Sequence, residues 1–132
     1  MSTAEPLDAA GKALVELVDE LDVVVAELSR ARDRAKELQE QRLEGRSWYE
    51  IVSSEDRPLI VEQISSAMAS LSSAGGLWRR EQAAALSAEH VSINRIAALY
   101  GVTRQRVSAL LRDHGLTVAD DEIDRDEPAA DA

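Results

Sequence analysis

The sequence predicts an all-α chain, a long N-terminal helix of coiled-coil type followed by a C-terminal helix-turn-helix domain. Three observations lead there. Apolar residues recur every seven positions through the first third of the chain, and proline is confined to Pro6, Pro58 and Pro128, so long stretches run without a helix breaker. Residues 93–112, INRIAALYGVTRQRVSALLR, set small, apolar and turn residues where two short packed helices need them. Aromatic residues make up only 3% and phenylalanine is absent, so leucine, alanine, valine and isoleucine must supply the packing. A chain of 132 residues then suits one small domain plus an extended element.

Residues 1–5 show no pattern and are expected to be disordered, and Pro6 suits a first helical turn, where its missing N–H costs nothing. Over residues 6–44 the pattern is heptad. Leu7, Leu14, Leu21, Leu28 and Ala35 form one row (a), and Ala10, Leu17, Val24, Ala31 and Leu38 form a second (d) three residues on. At 1.5 Å per residue such a helix is roughly 55 Å long. Val18 and Val25 fall beside the seam at e and widen it. Two arrangements use a helix of this kind: pairing with a second copy through residues 6–42, or folding back on its own chain as an antiparallel bundle.

Residues 45–76 read as connecting helices. Gly45 suits the position just past a helix and Ser47 the N-cap of the next. Trp48, Tyr49, Ile51 and Val52 make a short apolar turn expected to plug the joint. Ser54-Glu55-Asp56-Arg57-Pro58 is a second helix start with acids at the favourable end. Ile60, Ile64, Ala67, Leu71 and Ala74 continue it on one face, flanked by Val61 and Met68. Gly75-Gly76 costs about 1 kcal/mol per glycine inside a helix, which predicts a kink or hinge there.

Residues 77–115 form the last ordered unit. Leu77, Ala84, Ala85 and Leu86 belong to a helix that completes the core of the pair that follows. Ser92 caps the first helix of the pair, Ala97 permits a close crossing, and Gly101 supplies the positive φ of the corner. Thr103 caps the second helix. Ile96, Tyr100, Val102, Val107 and Leu110 face inward, and His114-Gly115 closes the unit. Residues 116–132 are acidic and poor in apolar side chains, so they are expected to be a disordered tail.

The net charge of −10 argues at first against a nucleic-acid partner, whose phosphates demand a basic surface. Its distribution reverses the argument. Between residues 78 and 115, Arg79, Arg80, Arg95, Arg104, Arg106 and Arg112 outnumber Glu81, Glu89 and Asp113, while the acid concentrates before and after. Cysteine is absent, which removes disulfides, thiolate nucleophiles and cysteine-ligated zinc. His90 and His114 flank the motif without convergent ligands. The paired acids Asp19-Glu20 and Asp120-Asp121-Glu122 stand on a solvent face or in the tail, and no glycine-rich phosphate loop is present. No enzyme and no cofactor is expected. There is no run of about 18 apolar residues and no basic-then-apolar leader; the expectation is a cytoplasmic protein with no membrane partner.

The segment IAALYGVTRQRVSALLR resembles the helix-turn-helix of bacterial transcription regulators, and its GVTRQRV portion resembles the DNA-reading helix of sigma-factor region four. Ala97, Gly101, Val102, Val107 and Leu110 carry the match, over roughly a fifth of the chain. The chain as a whole is similar to small actinobacterial helix-turn-helix proteins of uncharacterised role. The resemblance implies double-stranded DNA as partner, with the helix starting at Arg104 in the major groove and its first residues on base edges. Thr103, Arg104, Gln105, Arg106 and Ser108 are then the contact candidates. Arginine pairs bidentately with guanine and glutamine with adenine, so Arg104 and Gln105 are assigned to bases, with one of the arginines alternatively on phosphate. Arg95, Arg112 and the pair Arg79-Arg80 go to the backbone. The implied function is a dimeric transcription regulator or nucleoid-associated protein. The alternative is an interaction module that contacts RNA polymerase or a sigma factor through its coil and acidic surface. In a third arrangement the acidic tail folds onto the motif and lowers non-specific binding.

Overall fold

The computed structural model describes residues 7–115, so the expectations for residues 1–5, for Pro6 and for the tail at 116–132 lie outside the described part. Among the described residues every regular element is a helix: α1 (Ala9–Leu43), α2 (Trp48–Ser53), α3 (Ile60–Ala88), α4 (Ile93–Tyr100) and α5 (Arg104–Asp113). They divide into two compact units, one holding the described residues up to Val15 and those from Gly75 onward, the other Glu16–Ala74. No helix of the described residues is long and apolar enough to cross a membrane.

α1 begins at Ala9, because Asp8 acts as its cap. The Asp8 carboxylate accepts the Gly11 N–H at 2.8 Å and its carbonyl accepts the Lys12 N–H at 2.9 Å. At the other end the chain turns as the sequence predicts. Gly45 adopts φ +96°, the Gly45 N–H reaches the Arg42 carbonyl at 3.0 Å and the Arg46 N–H reaches that of Gln41 at 3.1 Å. This pair of bonds satisfies carbonyls that the helix end leaves unpaired.

The heptad seam is used differently from an a/d coiled coil. Val24 and Ala31 of the d row are 2% and 3% exposed, whereas Leu14 and Leu21 of the a row are each 41% exposed and Leu7 55%. The buried face of α1 runs through d and the neighbouring g positions, as Ala13 (4% exposed) shows. Part of α1 lies against its own chain. In the Glu16–Ala74 unit, Arg34 of α1 donates to the Gln63 amide oxygen of α3 at 3.0 Å and to the Asp56 carbonyl at 2.8 Å. Its guanidinium also lies 3.7 Å from the Glu55 carboxylate. Arg34 faces Gln63, while Leu38 and Gln41 line the same small polar hollow as Ile60. The register falls along α1 as it rises along α3, so the two helices are antiparallel.

α2 is capped as predicted. The Ser47 hydroxyl accepts the Glu50 N–H at 3.1 Å and the Glu50 carboxylate accepts the Ser47 N–H at 3.1 Å, a reciprocal capping box. The Ser47 backbone and hydroxyl bonds hold the Glu50 carboxyl below its ordinary range. The expected aromatic plug does not form. Ile51 is fully buried, whereas Trp48 is 57% and Tyr49 82% exposed. A helix of six residues has one side to bury, and Ile51 occupies it; Trp48 lies under the Arg42 guanidinium, 5.3 Å from its ring centre.

The second helix start also moves. Ser54 ends α2 instead of opening α3, which begins at Ile60. The acids still serve the helix start: the Glu55 carboxylate accepts the Ile60 N–H at 2.7 Å and that of Glu62 accepts the Leu59 N–H at 2.9 Å. From there α3 runs unbroken to Ala88, through the glycine pair that predicts a kink or hinge. The buried face continues on either side of the pair, at Ala67 before it and Ala83 after it. Packing along 29 helical residues outweighs a penalty of about 2 kcal/mol from two glycines. Nothing crowds either glycine: a methyl group on Gly75 meets no atom within 4 Å, and one on Gly76 meets only the mobile end of Arg80 at 3.6 Å. Gly75→Ala and Gly76→Ala are each expected to stabilise the chain by about 0.5–1 kcal/mol, measured as a raised urea midpoint; a lowered midpoint would show that the glycines serve a conformation other than this helix.

Candidate nucleic-acid interface

The residues around α4 and α5 form a core of their own. Ala83, Ile93, Ile96, Ala97, Val107, Leu110 and Leu111 are buried together, with Leu86, Val91, Tyr100 and Val102 packed against them. All five apolar residues assigned to the interior lie in or against this cluster. The contribution from α3 differs by a residue or so, since Ala83 is fully buried while Ala84 and Ala85 are only half-buried.

Local chemistry sets both helix starts and the corner. The Ser92 hydroxyl accepts the Arg95 N–H at 3.1 Å, and the Thr103 hydroxyl accepts the Arg106 N–H at 3.1 Å. Gly101 sits at φ +68°, ψ +35°, and the Val102 N–H returns to the Ala97 carbonyl at 3.1 Å. A left-handed backbone costs an L-residue about 1–2 kcal/mol, which is why glycine stands at this corner. Past α5, Gly115 takes φ +93° and its N–H bonds the Arg112 carbonyl at 2.9 Å.

These supports leave the first turn of α5 facing solvent. Thr103, Arg104, Gln105 and Arg106 are exposed, Ser108 is half-buried, and Val107 between them is fully buried. Arg104, Ser108 and Arg112 follow at four-residue spacing and so lie along one ridge of α5. Arg95, exposed on α4, stands apart in sequence from that ridge. The Thr103 hydroxyl accepts the Arg106 N–H as a cap, which leaves its hydrogen and one lone pair for a ligand. From Val91 to Arg112 the chain carries four arginines and no acid, in a protein of net charge −10. The positive end of the α5 dipole adds to the potential at the same turn.

Three residues of α3 hold this surface in place, and the sequence pattern did not single out two of them. The Tyr100 hydroxyl donates to the Gln82 amide oxygen at 2.7 Å, and the Arg79 guanidinium lies 4.3 Å over the Tyr100 ring. Burial raises the Tyr100 pKa, and the Arg79 charge opposes that rise. At the far end of α5, the His114 Nε2 is 2.9 Å from the Glu81 carboxylate. Glu81 and Gln82 escape periodicity because they are polar and their partners are distant in sequence. Arg79 is thereby stacked on an aromatic ring at the α3–α4 joint. Tyr100→Phe removes one partly buried hydrogen bond and is expected to cost about 1 kcal/mol, read from the urea midpoint; an unchanged midpoint would mean the bond contributes nothing to the joint.

No family model matches the chain, and no curated protein or solved structure matches it.

Proposed function

We propose that the α4–α5 pair is a helix-turn-helix that binds double-stranded DNA, with the first turn of α5 entering the major groove. One observation carries this reading: the exposed first turn of α5 belongs to an acid-free, arginine-bearing stretch of an otherwise strongly acidic protein. Arg104 and Gln105 read base edges, and Arg106, Ser108, Arg112 and Arg95 position the helix on phosphates. The corner glycine and the two hydroxyl caps fix α5 relative to α4, as such docking requires. The chain acts by binding, not catalysis, as a transcription regulator or nucleoid-associated protein in the cytoplasm. It works as a homodimer, because one unit of this size buries too little surface for a tight specific complex and two units match half-sites roughly 34 Å apart.

Backbone amide shifts of the full chain, titrated with a short duplex, test the reading. The largest changes are expected at residues 103–108 and at Arg95 and Arg112. Changes confined to the other unit, or none at low salt, would sink it. A second reading, a protein contact to RNA polymerase or a sigma factor, is favoured by the exposed Trp48 and Tyr49 in the Glu16–Ala74 unit, residue types that interface hot spots use. In that case Trp48→Ala abolishes capture of the purified partner while DNA binding persists.

A further inference from the structure

The Glu16–Ala74 unit leaves an apolar face uncovered. On α1, Val18, Leu21 and Val25 are 41–64% exposed, and on α3, Val61, Ile64 and Met68 are 39–71% exposed. Their places follow from the buried row of each helix. Val25 comes one residue after buried Val24, Val61 one after Ile60, and Met68 one after Ala67. One residue is a turn of about 100° in a fixed sense. Because the helices run antiparallel, the same turn on both brings the two exposed rows to the same side of the pair.

Charge identifies what covers this face. The part of α1 in this unit carries eight acids, Glu16, Asp19, Glu20, Asp22, Glu27, Asp33, Glu37 and Glu40, yet none falls in the two heptad rows that form the face. Those rows hold Leu21, Leu28, Ala35 and Arg42, and Val18, Val25, Arg32 and Gln39. In residues 60–80 of α3 the one acid, Glu62, is turned away from Val61, Ile64 and Met68 and lies 3.6 Å from Arg57. Two copies of a chain with net charge −10 repel wherever acids meet acids. A two-fold interface sets each patch against itself, so these acid-free rows, with Asp22 alone of the α1 acids beside them, are where two copies can approach. The size is sufficient. Burying a Val, Leu, Ile or Met side chain removes on the order of 100 Å² from water, and half of that from six side chains gives roughly 300 Å² per copy. Such area is about 60% of an interface, so the total reaches about 1,000 Å², the least that a biological interface is expected to bury.

We infer that a second copy of this chain packs on the face formed by Val18, Leu21, Val25, Val61, Ile64 and Met68, joining two antiparallel hairpins into a four-helix arrangement. The inference rests on the pairing proposed above and is independent of DNA contact. It replaces the a/d seam of residues 6–42 by a face shared between α1 and α3.

Sedimentation of the full chain without DNA, at micromolar concentration, tests it. The native chain is expected to run as a dimer. Val25→Glu and Met68→Glu each place a charge in the interface without disturbing the hairpin, since both sites are exposed in the single chain, and each is expected to weaken dimerisation at least about 100-fold. Val23→Glu is the control: Val23 is 50% exposed but precedes Val24 and so faces the other side, and this variant remains dimeric. Helical circular dichroism of all three variants should match the native chain. A native monomer overturns the pairing and the face together. A dimer that survives both Val25→Glu and Met68→Glu, or one broken equally by Val23→Glu, overturns this face while leaving the pairing.

Discussion

Ile96→Ala is expected to destabilise the α4–α5 unit by about 3–4 kcal/mol. Ile96 is fully buried at the centre of the cluster formed with Ala97, Val107 and Leu111. Removing three carbon atoms there forfeits their transfer energy and leaves a cavity between short helices that have few other contacts to close it. Eight residues of α4 and ten of α5 cannot persist as isolated helices, so the loss falls on the whole unit. Ile96→Val, which removes one methyl, should cost about 0.5–1.5 kcal/mol. Urea titration followed by helical circular dichroism checks both. A cost below 1 kcal/mol for alanine would mean that the cluster is not what holds α5 in place. DNA affinity should fall with the folded fraction in the alanine variant and be retained in the valine one.

The second large effect is on DNA. Arg104→Ala and Arg106→Ala are each expected to reduce affinity by about 10- to 100-fold, the worth of one well-placed arginine contact, with folding unchanged because both side chains lie on the exposed side of α5. The two should differ in kind. Loss of a base contact at Arg104 relaxes preference at one position of the site, whereas loss of a phosphate contact at Arg106 weakens all sequences alike and lowers the salt slope by about one. Gln105→Ala should act on preference as Arg104→Ala does. Competition with sites altered at single positions separates these outcomes. Equal, small losses for all three would place the bound surface elsewhere.

How much of this was legible in the sequence depends on how local the cause is. Ser47, Ser92 and Thr103 cap helices, and Gly45, Gly101 and Gly115 turn the chain, where the sequence puts them. Each of these acts on backbone groups within a few residues, so type and spacing suffice. The inward set of α4 and α5 was equally readable, because two short helices joined by a tight turn have few ways to bury their apolar residues.

What the sequence misplaced depends on distant partners. The heptad pattern of α1 shows which residues are apolar but not which row is buried; Val24 and Ala31 of the d row are, while Leu7, Leu14 and Leu21 of the a row stay exposed. Trp48 and Tyr49 are large and apolar, yet the one inward position of α2 belongs to Ile51. The glycine pair weakens α3 locally without breaking it, because the buried face resumes beyond it. His90 takes the left-handed φ of +66° at the end of α3, a position the pattern would give to glycine. Along the candidate interface, the exposed arginines were readable from charge alone, while the supports from Glu81 and Gln82 were not.

The central claim is that the arginine-bearing first turn of α5 holds DNA, and fluorescence anisotropy of the full chain with labelled duplex across a salt series tests it most directly. If three arginines of each unit contact phosphate, the logarithm of the affinity should fall against that of salt with a slope of about −3 per unit bound, and the slope should shrink in Arg106→Ala. Absence of binding at low salt, or binding with the same slope in Arg106→Ala, would contradict it.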